Sequence, residues 1–82
     1  MYILGYLYRF GKRVVITKHA DVRAEQRGIT ASMIEATING GKIKRFGRNR
    51  MKFIKEYKQG KVVCVDEIRK DYIRIATIEW KR

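Results

Sequence analysis

The sequence predicts an α+β fold in which two helices from the first half of the chain pack on a sheet of about four antiparallel strands. Three observations lead to this prediction. Hydrophobic residues make up 45% of the 82 residues, an ordinary globular fraction. Two helix-like segments, each preceded by a threonine, occupy residues 17–39. The rest of the chain is rich in strand-forming residues and is divided by short polar turns, as in an antiparallel meander.

The N-terminal segment is predicted to add strand structure to this core. Residues from Tyr2 to Arg9 are rich in Tyr, Ile and Leu, and a second short strand candidate is Val14-Val15-Ile16. Gly11-Lys12 lies between them as a turn, so the two segments are compatible with an extra hairpin.

Two helices follow, separated by a glycine. Thr17 suits the N-cap of a helix over about 18–27, and Gly28 suits the left-handed position just past a helix end. Thr30 is the N-cap of a second predicted helix, over 31–39. Its apolar residues recur at i, i+3 and i+7, which gives it one side to bury.

The second half of the chain is predicted to form four strands joined by tight turns. The turns are Gln59-Gly60 and the polar segment 69–71. The predicted strands cover residues 42–46, 51–58, 61–68 and 72–80.

The chain length sets the domain organisation. A chain of 82 residues has room for one hydrophobic core only. We therefore predict a single domain over residues 1–82, made of an N-terminal strand extension at 1–16 and an α+β core at 17–80.

The composition excludes several classes of protein. One His and one Cys cannot supply the four ligands of a structural zinc site, and one Cys cannot form an internal disulfide. No apolar run approaches the roughly 20 residues that cross a bilayer. We expect a small soluble protein of the cytoplasm with no metal, no other cofactor and no membrane partner.

The charge points to a polyanionic partner. The 20 Lys and Arg residues against 8 Asp and Glu give a formal net charge of +12, which favours nucleic acid. Between Lys42 and Lys61 the only acid is Glu56. The predicted nucleic-acid-binding residues lie in this stretch: Lys42, Lys44, Arg45, Arg48, Arg50, Lys52 and Lys55.

Aromatic residues are interleaved with these cations. Cations that track a phosphate backbone, together with rings that stack on bases, are typical of single-strand binding. Phe46, Phe53 and Tyr57 are the rings in question, and each has core packing as its alternative role.

One predicted helix carries three cationic or titratable side chains in a line. His19, Arg23 and Arg27 are spaced i, i+4, i+8, about 40° apart around a helix. Neighbouring like charges destabilise a helix slightly, and a phosphate would relieve the repulsion. His19 lies in the first turn, where the helix dipole favours the neutral imidazole that a general base needs. The alternative is a solvated basic face.

The same segment resembles a known family. The string H-A-x-x-R-x-x-x-R-G-I-T is similar to the first helix and turn typical of the family named domain of unknown function 4258. The resemblance covers roughly residues 16–80. Its elements here are His19-Ala20, the turn Arg27-Gly28-Ile29-Thr30, the second helix from Met33 to Ile38, and the apolar strand with a threonine from Ile73 to Thr77.

That family is grouped with the barnase, EndoU, colicin and RelE-like fold of metal-independent ribonucleases and toxins. The resemblance implies an endoribonuclease of the toxin-like class that acts on single-stranded RNA. It implies a catalytic site formed by His19, Arg23, Arg27 and Thr77. RNA is then a more natural partner than DNA, and such an enzyme would be expected to have an acidic, antitoxin-like inhibitor protein.

The residues leave open how a second proton would be transferred. RNA cleavage needs both a base and an acid, and His19 cannot be both in one step. Glu56, Tyr57, Tyr72 and Lys52 are unranked candidates for the partner.

Because no second proton-transfer residue stands out, two alternative functions stay open. One is a non-catalytic basic protein that binds RNA or DNA through the same fold. The other is a protein-interaction module that docks on an acidic partner.

Overall fold

The computed structural model describes residues 11–81 in full and residues 2–7 through their backbone. Two helices and six strands follow one another along the chain, and their bounds agree with the sequence-based boundaries to within two residues. The elements are β1 (Tyr2–Leu7), β2 (Lys12–Ile16), α1 (Lys18–Gln26), α2 (Ala31–Gly40), β3 (Lys42–Phe46), β4 (Arg50–Tyr57), β5 (Gly60–Ile68) and β6 (Tyr72–Lys81). Arg9, the predicted end of the first strand, lies outside the described residues.

The strands form one mixed sheet in the order β1-β2-β6-β5-β4-β3. The four strands of the second half are antiparallel neighbours, as predicted. The purely antiparallel sheet was wrong, because β2 of the N-terminal hairpin pairs with β6 in parallel. This pairing joins residues about sixty positions apart in the chain, and local turn chemistry carries no signal for it.

Both helices begin at the predicted threonines. The hydroxyl of Thr17 accepts a hydrogen bond from the backbone N–H of Ala20 at 3.1 Å, and that of Thr30 accepts one from Met33 at 3.2 Å. Each bond satisfies one of the free N–H groups of a first helical turn. Gly28, just past α1, has a φ of 71°, which a side chain with a Cβ rarely adopts.

The core lies between the helices and one face of the sheet. Phe53 and Cys64, opposite each other on β4 and β5, are fully buried. Tyr57 is half-buried and donates a hydrogen bond from its hydroxyl to the Met33 carbonyl at 3.1 Å. Of the three aromatic residues that sequence reasoning singled out, only Phe46 is exposed. Packing therefore accounts for two of the three rings.

A carboxyl group is buried in this core. Asp66 on β5 lies opposite Met51 and has no solvent exposure. Neither of its oxygens has a hydrogen-bond partner among the described residues. Burial raises the pKa of Asp66 from 3.8 to about 8, because the ionised form loses its hydration there. The same burial raises the pKa of the Cys64 thiol.

Asp66 makes the stability of the fold depend on pH. The folded state holds the proton up to about pH 8 and the unfolded chain releases it near 3.8, so stability falls as pH rises between these values. At about 1.4 kcal/mol per pKa unit, the fall amounts to several kcal/mol. In Asp66→Asn this slope should disappear in urea unfolding at pH 4.5, 6 and 8.

The matched control is Asp71→Asn, because Asp71 is exposed in the turn before β6. It should keep the slope of the parent protein. If Asp66→Asn kept it as well, the buried carboxyl would not be its source.

Candidate functional site

The candidate site lies beside the point at which β2 ends. The pairing of β2 with β6 covers residues 72–75 of β6, and the chain then continues into α1. The backbone N–H of Thr17 donates to the Ile75 carbonyl at 3.2 Å, which fixes this turn to the strand. Ala20 and Ala24 are fully buried, and such small side chains let α1 lie close to β6. The helix therefore runs beside the part of β6 that β2 leaves unpaired.

A pocket lies between α1 and this unpaired part of β6. It has a volume of about 210 Å³ and brings together all four residues of the predicted catalytic set. Its lining is His19, Ala20, Arg23 and Arg27 from α1 and Thr77, Ile78 and Glu79 from β6. The i, i+4, i+8 spacing on the helix thus forms one wall of a concave site.

A β-bulge shapes the strand side of the pocket. On β5, Asp66 pairs with Ile75 and Val65 pairs with Thr77, so Ala76 has no residue opposite it. Such an extra residue bends a strand and redirects the side chains next to it. The bulge directly precedes Thr77, which is exposed and lines the pocket.

Arg27 has a structural partner in the pocket. Its Nη1 donates a hydrogen bond to the Ile78 carbonyl at 2.8 Å, and Trp80 Nε1 donates to the Arg27 carbonyl at 2.7 Å. These two bonds fasten the end of α1 to β6. Neither the His19 nor the Arg23 side chain has a hydrogen bond or ion pair to another described residue, so the Arg23 guanidinium is free to contact a ligand.

Glu79 is the pocket residue that sequence reasoning missed. It adds a carboxylate to a site otherwise lined by cations and a hydroxyl. The sequence could have revealed Glu79, because it lies two residues after Thr77 and alternate residues of a strand project to the same side. The earlier candidates for a second proton-transfer group, Glu56, Tyr57, Tyr72 and Lys52, do not line this pocket.

The structure divides the seven predicted nucleic-acid-binding cations among the two faces of the sheet and one turn. We name the face away from the helices the open face. Lys52 lies there, because it alternates along β4 with the buried Met51 and Phe53. Register places Lys42, Lys44 and Arg50 on the same face.

The other three cations lie elsewhere. Arg45 lies opposite Met51, and Lys55 is two residues beyond Phe53, so both belong to the helix side of the sheet. Arg48 lies in the turn between β3 and β4. The predicted set is thus not a single surface.

Two lysines on the open face are directly opposite each other. Lys44 and Lys52 form a cross-strand pair, an arrangement that destabilises a sheet through like-charge repulsion. The Lys52 ammonium lies 5.4 Å from the centre of the exposed Phe46 ring. The nearby carboxylate of Glu67 on β5 is held by Arg69 at 2.9 Å and Arg74 at 2.5 Å.

Comparison of the chain with protein-family models, with curated proteins and with solved structures finds no match. In the described part of the chain, no three His, Cys, Asp or Glu side chains gather as metal ligands would. Neither described helix combines the length and apolar character of a membrane crossing. The argument for function therefore depends on the site itself.

Arg27 lines the pocket and also bonds to β6, so the two arginines of the pocket should contribute differently to the stability of the fold. Arg27→Ala removes the hydrogen bond to the Ile78 carbonyl and should lower the free energy of unfolding by about 1–2 kcal/mol. Arg23→Ala removes the same charge from the same pocket without removing a side-chain hydrogen bond to a described residue, and should change it by less than about 0.5 kcal/mol. Urea unfolding measures both, and equal losses would show that the bond contributes nothing.

Proposed function

We propose that this protein is an endoribonuclease that cleaves single-stranded RNA without a metal ion, and that the pocket between α1 and β6 is its active site. The observation that carries the proposal is that His19, Arg23, Thr77 and Glu79 line one pocket of a strongly basic protein. The pocket then holds a carboxylate, an imidazole, a guanidinium and a hydroxyl. The resemblance of residues 16–80 to domain of unknown function 4258, a family grouped with ribonucleases and toxins, supports the same proposal.

The reaction needs one group to accept a proton and one to donate it. The 2′-oxygen of the ribose attacks the neighbouring phosphorus, so a new O–P bond forms while the bond from phosphorus to the 5′-oxygen breaks. A base takes the proton of the 2′-hydroxyl, and an acid gives a proton to the departing 5′-oxygen. The products are a 2′,3′-cyclic phosphate and a 5′-hydroxyl.

The side chains of the pocket match these roles. Glu79 is the base in this proposal, because a carboxylate is ready to accept a proton at neutral pH. His19 is the acid, since an imidazole can carry an exchangeable proton and give it to a departing oxygen. In the sequence, the helix dipole suggested a base role for His19, and the choice between base and acid was left open. Arg23 and Thr77 stabilise the charge on the phosphate oxygens.

A second function is favoured by the like-charge pair Lys44–Lys52, which a phosphate backbone would relieve with no chemistry at all. A non-catalytic protein that binds RNA or DNA has the same basic surface. The two functions differ at the pocket: only the nuclease depends on the functional groups of His19 and Glu79. Docking on an acidic protein, whether as an interaction module or with an acidic inhibitor, uses the same charges and is detected by the same binding measurements.

Activity tests the pocket directly. In the presence of EDTA, the protein should cleave single-stranded RNA and leave 2′,3′-cyclic phosphate ends detectable by mass spectrometry. His19→Ala and Glu79→Gln should each lower kcat at least about 100-fold, because acid–base groups contribute 10²–10⁴-fold. Affinity for a 2′-O-methyl oligonucleotide, which lacks the attacking hydroxyl, should stay within about threefold for His19→Ala.

The matched control is Glu35→Gln, since Glu35 is exposed on α2 and does not line the pocket. It should cleave like the parent protein. RNA that is bound but remains intact at all pH values between 5 and 9 would eliminate the nuclease and leave the non-catalytic protein. Absence of RNA and DNA binding at low salt would eliminate both and favour the acidic protein partner.

A further inference from the structure

Register connects the basic edge of the sheet with the pocket. On the open face, Lys44 on β3 lies opposite Lys52 on β4, and Lys52 lies opposite Val65 on β5. Val65 in turn lies opposite Thr77 on β6, which lines the pocket. These four residues form a straight row across four strands. We name it the cross-strand row.

A second row runs beside the first and ends in the same pocket. Lys42 lies opposite Ile54, Ile54 opposite Val63, and Val63 opposite Glu79. Both rows therefore begin at a lysine of the edge strand β3 and end at a pocket residue of β6. This arrangement would not follow from a basic surface that serves solubility alone.

The length of the two rows matches that of a short stretch of single-stranded nucleic acid. Three gaps between neighbouring strands, at about 4.8 Å each, separate β3 from β6 by about 14 Å. A stacked nucleic-acid strand advances about 3.4 Å per nucleotide, so about four nucleotides span the distance. The pocket holds the reactive phosphate at one end, and the lysines lie within reach of phosphates at the other.

The chemistry along the path suits unpaired nucleotides. The cross-strand row contains no acid, and its middle is the half-buried side chain of Val65. The carboxylate of Glu67, which flanks Val65 on β5, is paired with two arginines, and the other flanking carboxylate, that of Glu79, lies at the pocket end of the second row. The exposed ring of Phe46 lies beside Lys52 at the basic end and offers a stacking surface. A base-paired duplex would keep its bases away from both the ring and the apolar centre.

We propose that single-stranded RNA crosses the open face along the cross-strand row, from the edge strand β3 to the pocket at β6. This inference rests on the proposed function and adds to it the path of the substrate. The phosphate that reacts lies in the pocket, and about four nucleotides on one side of it lie over Val65, Lys52 and Lys44. These nucleotides supply affinity and take no part in the chemistry.

The first test compares two pairs of cations, each with one member on β3 and one on β4. Lys44→Glu combined with Lys52→Gln should weaken binding of a 2′-O-methyl octanucleotide at least tenfold at 100 mM salt. Arg45→Glu combined with Lys55→Gln changes the net charge equally but on the helix side, and should weaken it less than threefold. Circular dichroism shows whether each variant is folded.

The second test requires no substitution. In the parent protein, the 2′-O-methyl octanucleotide should shift the backbone amide NMR signals of Lys52, Val65 and Thr77 together. A dinucleotide should shift those near Thr77 but not those of Lys44 or Lys52. Affinity should increase with oligonucleotide length up to about five nucleotides and level off beyond it.

The outcomes separate the path from the proposed function. If RNA is cleaved or bound but both double variants lose affinity equally, and the octanucleotide leaves the amides of Lys52 and Val65 unchanged, the path is wrong and the function stands. If neither cleavage nor binding of RNA occurs, the proposed function fails and the path with it. An acidic protein that competes for the same row and leaves RNA unbound would identify the surface as a protein-docking site.

Discussion

The candidate site depends on the early end of β2. Because β2 leaves the sheet at Ile16, no described strand pairs with that edge of β6 beyond Ile75, and α1 lies beside it. Hydrogen bonds hold the arrangement: the backbone N–H of Thr17 donates to the Ile75 carbonyl, the Arg27 guanidinium to the Ile78 carbonyl, and the Trp80 indole to the Arg27 carbonyl. With a longer β2, the strand itself would fill the space that is now a pocket.

Local sequence signals predicted the elements well. Threonine N-caps, the glycine after α1 and the polar turns are decided by neighbours within about four residues, and they place the helices and strands within two residues of the observed bounds. The parallel pairing of β2 with β6 and the bulge at Ala76 depend on contacts between distant segments. These features were missed for that reason.

The same distinction applies to the site. The spacing of His19, Arg23 and Arg27 on one helix is a local property, and the structure places all three at one pocket. Their association with Thr77 came from the family resemblance, because no local rule relates α1 to β6. Glu79 was missed although it lies only two residues beyond Thr77. The seven basic residues, treated as one surface in the sequence, separate once alternation along β3 and β4 is known.

Two repulsive arrangements remain in a fold that satisfies most local rules. One is the stripe of cations on α1, and the other is the pair Lys44–Lys52 on the open face. Each destabilises its own element slightly, and none of these cations forms an ion pair with an acid among the described residues. Solubility requires charge but does not require like charges to be adjacent. The lysine pair lies at one end of the cross-strand row and the pocket with the stripe at the other, and the row spans about 14 Å from β3 to β6 at the usual strand spacing. A single polyanionic strand along that row would relieve both, whereas small anions would have to bind at each end separately.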